Sequence, residues 1–451
     1  MNLFKIFFIT LIVILAGIPS ISSAAPKSPT IIRDTEIESI LRSWATPIFK
    51  AANLNPDAVH IIIVQSNAVN AFVAGGSNIF FYTGLINKTE NAGELIGVIA
   101  HETGHIAGGH LIKGREAMER ASYESIIGTI LGIGVAIISG DSAAVPAISM
   151  GGNSMAMRKY LAHSRIQESS ADQAALTFLE KAEINPAGMA SFMDKLKADN
   201  YVPENQQSEY VRTHPLVDRR VDALKERISS SQYNSAQYPA LWKEQHARMK
   251  AKLTGFINPE QVSWIYDDKD KSIAARYARA IAAYQNNKVD DALNKISALI
   301  ETEPKNPYFH ELKGQMLVDF NRVSEAVPNY KKAIELLPKA SLFRIALAHA
   351  LIESATQNEK DLLNNAVEQL EIALRNENKS TRIHRLLAIA YGRLGANNKA
   401  QIHLAEEAVL QRRFTYAKQQ AEHILETENE GSKLWIKAKD IISFIETNKK
   451  E

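Results

Sequence analysis

The stretch IGVIAHETGHIAGGHL, residues 96–111, places three histidines and one glutamate in an otherwise small and apolar run. On an α-helix, His101 and His105 would lie one turn apart on the same face, so both imidazoles could be directed at one ion. Neutral imidazole binds zinc well, and Glu102 on the adjacent flank could take a proton from water. The five-residue pattern His-Glu-x-x-His can occur by chance in a long helical protein. The prediction of a metal site therefore requires a further ligand elsewhere in the chain.

A third histidine on the same helix does not complete the site. In one class of zinc peptidases the pattern continues as H-E-x-x-H-x-x-G-x-x-H, and here Gly108 fits but position 111 is leucine. His110 misses the required position by one residue, which turns it about 100° away on a helix. The three-histidine arrangement is therefore excluded, and the third ligand must come from another segment.

A glutamate on a second helix is the preferred third ligand. The segment YLAHSRIQESSADQAA, residues 160–175, offers Glu168, followed one turn later by Asp172. It lies far enough along the chain to form an independent helix that packs across the first. Asp172 would then stand behind the site and accept the outer N–H of a ligand histidine. The alternative third ligands lie on or just after the motif helix and would have to fold back sharply; they are Glu116, Glu119 and Glu124.

Composition excludes several kinds of function and chemistry. The 451 residues carry a formal charge of +2 with 23% charged residues, and no basic stripe indicates nucleic-acid binding. The chain is too long for one ordinary core, so two or more domains are expected. It has no cysteine, which excludes disulfides, thiolate metal ligands, a cysteine nucleophile and a lipid-modified cysteine.

The N-terminus has the features of a secretory signal peptide. Lys5 precedes an apolar run that continues through residues 11–16, and Ser22-Ser23-Ala24 forms a small-residue cleavage site. Cleavage after Ala24 would release a soluble protein into an exported compartment. An uncleaved membrane anchor is the alternative, although the apolar run is shorter than the roughly 20 residues of a spanning helix.

A second apolar segment, SIIGTILGIGVAIISG at residues 125–140, is uncharged but only 16 residues long and rich in glycine. We expect it to form a helix or lid over the active site, facing a membrane or an apolar client, rather than a transmembrane span. Residues 144–155 are expected to form a mobile loop, and residues 157–179 a helix.

The first half of the chain predicts a small sheet packed by helices. Apolar residues recur at helical spacing from residue 35 to about residue 53, and residues 94–111 are typical of a long helix that carries the histidine motif. The β-branched run AVHIIIVQ at residues 58–65 predicts a strand. NAFVAGG followed by SNIFFYTGLI predicts two further extended stretches around Gly75 and Gly76.

After Phe256 the composition changes to a polar linker and then to helices with alanines at regular distances. Ala292 and Pro304 recur 34 residues later as Ala326 and Pro338, which is the period of the helix–turn–helix tetratricopeptide repeat. Residues 414–445 continue helically without the period, as a terminal cap would. An unspecialised helical bundle is the alternative. Further repeat positions in this part are Gly314, Leu317, Tyr330 and Ala333. A third unit, centred on Ala366 and Ala373, is displaced by six residues that fit the polar insertion ESATQNEKD, and a fourth is marked by Ala388, Tyr391 and Ala400.

These patterns predict an α+β chain. A mostly helical protease domain of the zincin type, with a glutamate as third ligand (a gluzincin) and a small sheet, would precede an all-α solenoid of tetratricopeptide repeats. The expected division is a signal peptide at residues 1–24, a metallopeptidase domain at 30–255, a linker at 256–272 and the repeat domain at 273–451.

The motifs HETGHIAGGH, SRIQESSAD and THPLVDRR (residues 213–220) stand ahead of the repeats and behind a signal peptide. In this order they resemble the BepA type of periplasmic metalloprotease, a relative of the HtpX and Oma peptidases, over nearly the whole mature chain. The resemblance implies one zinc ion (Zn²⁺) per chain held by His101, His105 and Glu168. It also implies Glu102 as the general base and matches Asp172 to the family's aspartate after the glutamate ligand.

The resemblance gives further residues a role near the metal. His214 in the His-Pro motif would reach the metal centre, either as an extra ligand that silences the resting enzyme or as a donor to the oxyanion; a loop histidine anchored by Pro215 is the alternative. Arg220 would hold the transition state or pair with a carboxylate, and its neighbour Arg219 is a rival for that role. His110 matches a further family histidine, for which a buried structural role is expected.

The function implied by the resemblance is a zinc endopeptidase of the bacterial periplasm that cleaves misfolded or stalled outer-membrane proteins. The repeats would dock these clients or the barrel-assembly machinery, and peripheral contact with a membrane is also expected. As in zincins generally, an extended substrate would lie along an edge strand, for which residues 78–83 (NIFFYT) are the candidate. The alternatives are a chaperone-like adaptor with a capped or vestigial zinc site and an integral-membrane protease that spans at residues 125–140.

Overall fold

The structure is a computed structural model, and it describes residues 30–110, 165–203, 206–216, 218–356 and 359–448. The predicted signal peptide and the features predicted at residues 125–140 and 144–155 lie outside these described residues, as do Glu116, Glu119 and Glu124. None of the described helices combines the length and the apolar character needed to cross a membrane.

The described N-terminal half begins with four short strands, the first two separated by one long helix, and continues with helices. The strands are β1 Thr30–Ile32, β2 His60–Gln65, β3 Ala71–Ala74 and β4 Asn78–Tyr82. The helices are α1 Thr35–Ala51, α2 Thr83–Lys88, α3 Ala92–Ala107, α4 Arg165–Lys181, α5 Ala187–Leu196, α6 Glu209–Thr213, α7 Asp218–Ser229, α8 Ala240–Ile257 and α9 Val262–Ile265. The side chains of Asp34 and Asn91 cap α1 and α3 by accepting hydrogen bonds from the first-turn backbone, which explains where these helices begin.

The four strands form one sheet in the order β1-β2-β4-β3. β2 and β4 are parallel, whereas β1 pairs antiparallel with β2 and β3 pairs antiparallel with β4. The prediction that residues 78–83 form an edge strand is therefore wrong: β4 is hydrogen-bonded on both sides, and the edge strands of the described sheet are β1 and β3. A strand's sequence indicates alternation of its side chains but not its neighbours in the sheet. The extended stretch predicted at SNIFFYTGLI, residues 77–86, also ends earlier than expected, since α2 begins at Thr83.

Helix α3 lies at the centre of the N-terminal core. Every residue from 92 to 105 is buried, which is the pattern of a helix covered on all sides. It packs against α1, α4, α5 and β3, and one continuous apolar core includes Trp44, Phe81, Ile99 and Leu176. The histidine motif therefore sits on the most enclosed helix of this half of the chain.

The described C-terminal half consists of helices packed in consecutive pairs. They are α10 Ile273–Gln285, α11 Val289–Thr302, α12 Pro307–Asp319, α13 Val323–Leu336, α14 Ser341–Ser354, α15 Lys360–Leu374, α16 Thr381–Arg393, α17 Asn397–Leu410, α18 Phe414–Thr427 and α19 Lys433–Asn448. The periodic alanines Ala292, Ala326, Ala366 and Ala400 are buried on the second helix of successive pairs. Small residues there allow neighbouring helices to approach. The predicted α+β fold with helical repeats is confirmed.

Close packing of α3 against α5 generates a stability prediction. A Cβ added to Gly97 would lie 2.6 Å from the Cα of Met189, so the backbone of α5 would have to move. We expect Gly97→Ala to lower the free energy of unfolding by about 1–3 kcal/mol. Gly392→Ala is the control, because a Cβ there meets nothing within 4 Å, and it should raise that energy by about 0.5–1 kcal/mol. Urea denaturation measures both, and equal effects of the two substitutions would contradict the packing described.

Candidate metal centre

Two crossing helices position three of the candidate ligands. α3 carries His101 and His105 one turn apart, and α4 carries Glu168. The helices approach closely because residue 104 is glycine: an added Cβ there would lie 2.7 Å from the carbonyl oxygen of Ala171. This contact places the Glu168 carboxylate against both imidazoles.

The donor atoms of four buried residues converge on one small volume; the residues are His101, His105, Glu168 and His214. The Nε2 atoms of His101 and His105 are 3.1 Å apart. Glu168 Oε2 lies 3.4 Å from His101 Nε2, and Glu168 Oε1 lies 3.2 Å from His105 Nε2. His214 Nδ1 lies 3.2 Å from Glu168 Oε1 and 3.4 Å from His101 Nε2.

These separations fit a metal ion. Ligand atoms about 2.1 Å from a tetrahedral zinc ion lie about 3.4 Å from one another, close to the 3.1 Å and 3.4 Å separations of His101 from its neighbours. Three imidazoles and one carboxylate form a donor set of the kind that zinc uses. The group could therefore hold a metal ion.

The charges around these donors favour a cation. Burial lowers the pKa of His101, but hydrogen bonds and charge from Asp172 and Glu168 outweigh it and raise the pKa to about 10. Burial raises the pKa of Glu168, yet His214, His101 and His105 together bring it well below its usual value. The negative charges of Asp172 and Glu168 thus stabilise positive charge where the donor atoms meet. A divalent cation could provide this charge in place of the protons on the histidines.

Glu102 lies beside this group without a hydrogen bond. It is fully buried, and within the described residues neither carboxylate oxygen has a hydrogen-bond partner. Its Oε1 lies 3.5 Å from His214 Nε2. Burial raises the pKa of Glu102, while the charges of His214 and His101 act against that shift. An enclosed carboxyl group of this kind costs free energy, so it indicates a functional use.

Arg220 joins the carboxylates behind the donor atoms. Its guanidinium donates two hydrogen bonds to Asp172, at 2.7 and 2.9 Å, and lies 2.8 Å from Glu168 Oε2. Asp172 Oδ1 in turn lies 3.0 Å from His101 Nδ1, the outer nitrogen of that imidazole. Arg220 also donates to the carbonyl of Pro215, next to His214. Arg219, by contrast, is exposed.

Helix α6 and His214 cover the edge strand β3. The Tyr210 backbone N–H donates to Val69 O at 2.9 Å, and His214 Nε2 lies 3.1 Å from Ala71 O. The Tyr210 ring packs against the His214 ring with 4.6 Å between centroids. None of the sequence motifs includes Tyr210; its only signal in the sequence is its position four residues before His214, where helical spacing brings two side chains together.

His110 lies outside the donor group but contacts it. The chain turns at Gly109, whose φ is +61°, and brings His110 Nδ1 to 2.9 Å from His105 Nδ1. This is the outer nitrogen of His105, because its Nε2 faces the other donors. His110 is buried, and it is placed to orient the His105 ring.

Two family models match segments of the chain. Residues 32–228 match the model of Peptidase family M48, and residues 277–341 match a tetratricopeptide-repeat model. A relative from Yersinia pestis named Beta-barrel assembly-enhancing protease is 24% identical over 72% of this chain and 67% of its own length. The protein of the same name from Escherichia coli (strain K12) is 24% identical over 74% of this chain and 68% of its own length. Metalloprotease LoiP of Escherichia coli is 30% identical over 40% of this chain and 66% of its own.

The resemblance seen in the sequence motifs is thus confirmed.

Among solved structures, the chain described as MamA MSR-1 C2 is 20% identical, with a TM-score of 0.31 over 38% of this chain and 97% of that chain.

The hydrogen-bonded position of Asp172 predicts its effect on metal affinity. Asp172→Asn removes the charge that orients His101 from behind, so we expect zinc affinity to fall by about 10–100-fold. Competition with a chromogenic chelator measures this affinity. Asp222→Asn, an exposed change on α7, should leave it unaltered. Equal affinity of the two variants would show that Asp172 does not support a metal ligand.

Proposed function

This chain is a metalloprotease with a family M48 peptidase domain and tetratricopeptide repeats, and from that premise we propose that it is a zinc endopeptidase of the bacterial periplasm. Its substrates are misfolded or stalled outer-membrane proteins, and its repeats dock these clients or the barrel-assembly machinery. The names of the relatives support this substrate class. The observation that carries the reaction is the buried group of donor atoms with Glu102 beside it.

The proposed ligands of one zinc ion per chain are His101, His105 and Glu168. When bound, zinc supplies Lewis acidity toward a peptide carbonyl and toward water. His214 is the fourth donor in the arrangement described here, since its Nδ1 lies among the donor atoms. Asp172 and Arg220 act as positioning residues, because they hold His101 and Glu168 by direct contacts.

Glu102 is the proposed general base. Both of its oxygens are available within the described residues, and no ion pair with lysine or arginine holds them. Burial raises the pKa of Glu102, which brings a carboxyl group nearer to the pKa that suits proton transfer at neutral pH. It would accept a proton from the attacking water and return one to the leaving amine.

The substrate would pair with the edge strand β3 as an added strand. In this structure the Ala71 carbonyl oxygen lies within hydrogen-bond distance of His214 Nε2, and the Val69 carbonyl oxygen accepts a hydrogen bond from the Tyr210 backbone N–H of α6. A substrate strand must therefore displace this segment before it can pair with β3. Displacement would also remove His214 from the donor group, which makes the segment a cap on the resting enzyme. Donation from His214 to the oxyanion is the alternative role, and it predicts the opposite effect, a loss of activity, when this side chain is removed.

We further propose that residues 1–24 are removed as a signal peptide on export. The mature chain would divide into a metallopeptidase domain at 30–255, a linker at 256–272 and a repeat domain at 273–451. Repeats of this kind stack into extended concave surfaces, which suits the capture of polypeptides or of a partner protein.

A second candidate is a chaperone-like adaptor whose zinc site is permanently capped. The contact of His214 with the donor atoms favours this alternative. Glu102 argues against it, because a site that only binds zinc does not need an enclosed carboxyl group beside it.

Replacement of the base separates these candidates. Glu102→Gln keeps the size of the side chain but cannot accept a proton, so casein cleavage should fall by about 10²–10⁴-fold while bound zinc is unchanged. Glu90→Gln, on an exposed glutamate, should retain full activity. Wild-type cleavage that survives in Glu102→Gln would refute the assignment of the base.

Removal of the cap has the opposite effect. His214→Ala removes the fourth donor and the contact with the Ala71 carbonyl, so the rate of cleavage of a short peptide should increase by about tenfold. This increase corresponds to an activation free energy lower by about 1.4 kcal/mol. His60→Ala, on an exposed histidine of β2, is the matched control. The capping idea fails if His214→Ala is no more active than wild type.

A further inference from the structure

A buried charge network joins the N-terminal core to the first repeat helix. Glu36, in the first turn of α1, is fully buried. Its Oε1 accepts hydrogen bonds from Arg248 of α8, the shorter at 2.5 Å. Its Oε2 accepts a hydrogen bond from the Tyr277 hydroxyl of α10 at 3.0 Å and lies 3.3 Å from Lys252 Nζ. Lys252 also pairs with Asp34 at 2.6 Å.

Arg248 extends this network to the second repeat. Its Nη1 lies 3.5 Å from Glu303, after α11, and its guanidinium lies 5.2 Å from the centroid of the Phe309 ring in α12. Arg248 thus links the N-terminal core with the end of α11 and with α12, while Glu36 links it with α10. Because these charges are largely removed from water, they hold their partners more firmly than surface pairs do.

A separate ion pair joins a later repeat to the same end of the N-terminal core. The Arg33 guanidinium, between β1 and α1, donates two hydrogen bonds to Glu377, at 2.7 and 3.1 Å. Glu377 lies just after α15, so the solenoid curves back far enough for the third helix pair to touch the start of α1. This bidentate geometry restricts the orientation of the two groups.

Helix α8 is shared by the two halves. Met249 and Leu253 belong to the N-terminal core, whereas Ala251 packs with Ala278 and Ala282 of α10. Helix α8 packs closely on α10, since a Cβ added to Gly255 would lie 2.8 Å from the Ile281 side chain, so this contact sets where the solenoid begins. Beside this contact an open cleft of about 660 Å³ lies between α1 and the segment that joins α11 to α12, and there Arg248 and Glu303 make the connection between the halves.

We propose that Glu36 is a positioning residue that fixes the repeats relative to the catalytic cleft, so that an unfolded polypeptide held by the repeats is presented to β3. This inference rests on the proposed function. A held client reaches the cleft at a high effective concentration only while the geometry between the two sites is maintained. A short peptide that binds the cleft alone gains nothing from the repeats. Loss of the network should therefore penalise long substrates selectively.

The test compares an unfolded protein with a short peptide as substrates of the full chain. In Glu36→Gln, the KM for the unfolded protein should rise by about tenfold, while kcat/KM for the peptide should stay within about twofold of wild type. The double variant Arg33→Ala/Glu377→Ala removes a partly exposed pair, together with the contact of Arg33 with Glu38, and should shift the same KM in the same direction. Arg322→Ala/Glu325→Ala, an exposed pair within one repeat unit, is the matched control.

A cross-link provides a rescue that a purely structural role could not give. The chain has no cysteine, so Arg33→Cys and Glu377→Cys can be joined by a short bis-maleimide linker in the Glu36→Gln background. Restored KM for the unfolded protein supports the proposal. An unchanged KM in Glu36→Gln, or an equal loss on both substrates, overturns it. A wild-type chain that cleaves neither substrate would instead sink the proposed function, whereas cleavage of both with no selective loss sinks this inference alone.

Discussion

The close contact between α3 and α4 is the constraint on which the site depends. Gly104 lets the backbone of α4 approach to a distance that a side chain would prevent, as the 2.7 Å from an added Cβ to Ala171 O shows. Only at this distance can the Glu168 carboxylate reach the imidazoles of His101 and His105. The small and apolar residues around the histidines are therefore required for the site, because they bury α3 and allow α4 to cross it closely.

Burial of so many ionisable groups is tolerated because most of them have an opposite charge or a donor within hydrogen-bond distance, and Glu102 is the exception. Arg220 balances Asp172 and Glu168 on one side of the donor group. At the junction with the repeats, Arg248 and Lys252 balance Glu36 in the same manner. Removing one partner from such a group leaves an uncompensated charge, which costs more than the pair itself contributes. This principle links the geometry of the site to the placement of the repeats.

Local patterns in the sequence predicted the features that depend on local geometry. His101 and His105 share a helix face because they are four residues apart, and the alanine period predicted the helix pairs, with Ala292 and Ala326 buried at equivalent places. The order of strands could not be predicted, since it depends on pairing between distant segments, and the edge strand was misplaced for this reason. The partners of Arg220 and Glu36 could not be predicted either, because they lie on other helices and no local pattern in the sequence relates them.

The central claim is that one zinc ion is held jointly by the two histidines of α3 and the glutamate of α4. X-ray absorption spectroscopy of the zinc-loaded protein, with zinc content measured in parallel for wild type and Glu168→Ala, tests it most directly. The account predicts about one zinc per wild-type chain, with nitrogen and oxygen neighbours at about 2.0–2.2 Å, and loss of an oxygen neighbour together with weakened retention in Glu168→Ala. An identical spectrum and full zinc content in that variant would contradict it.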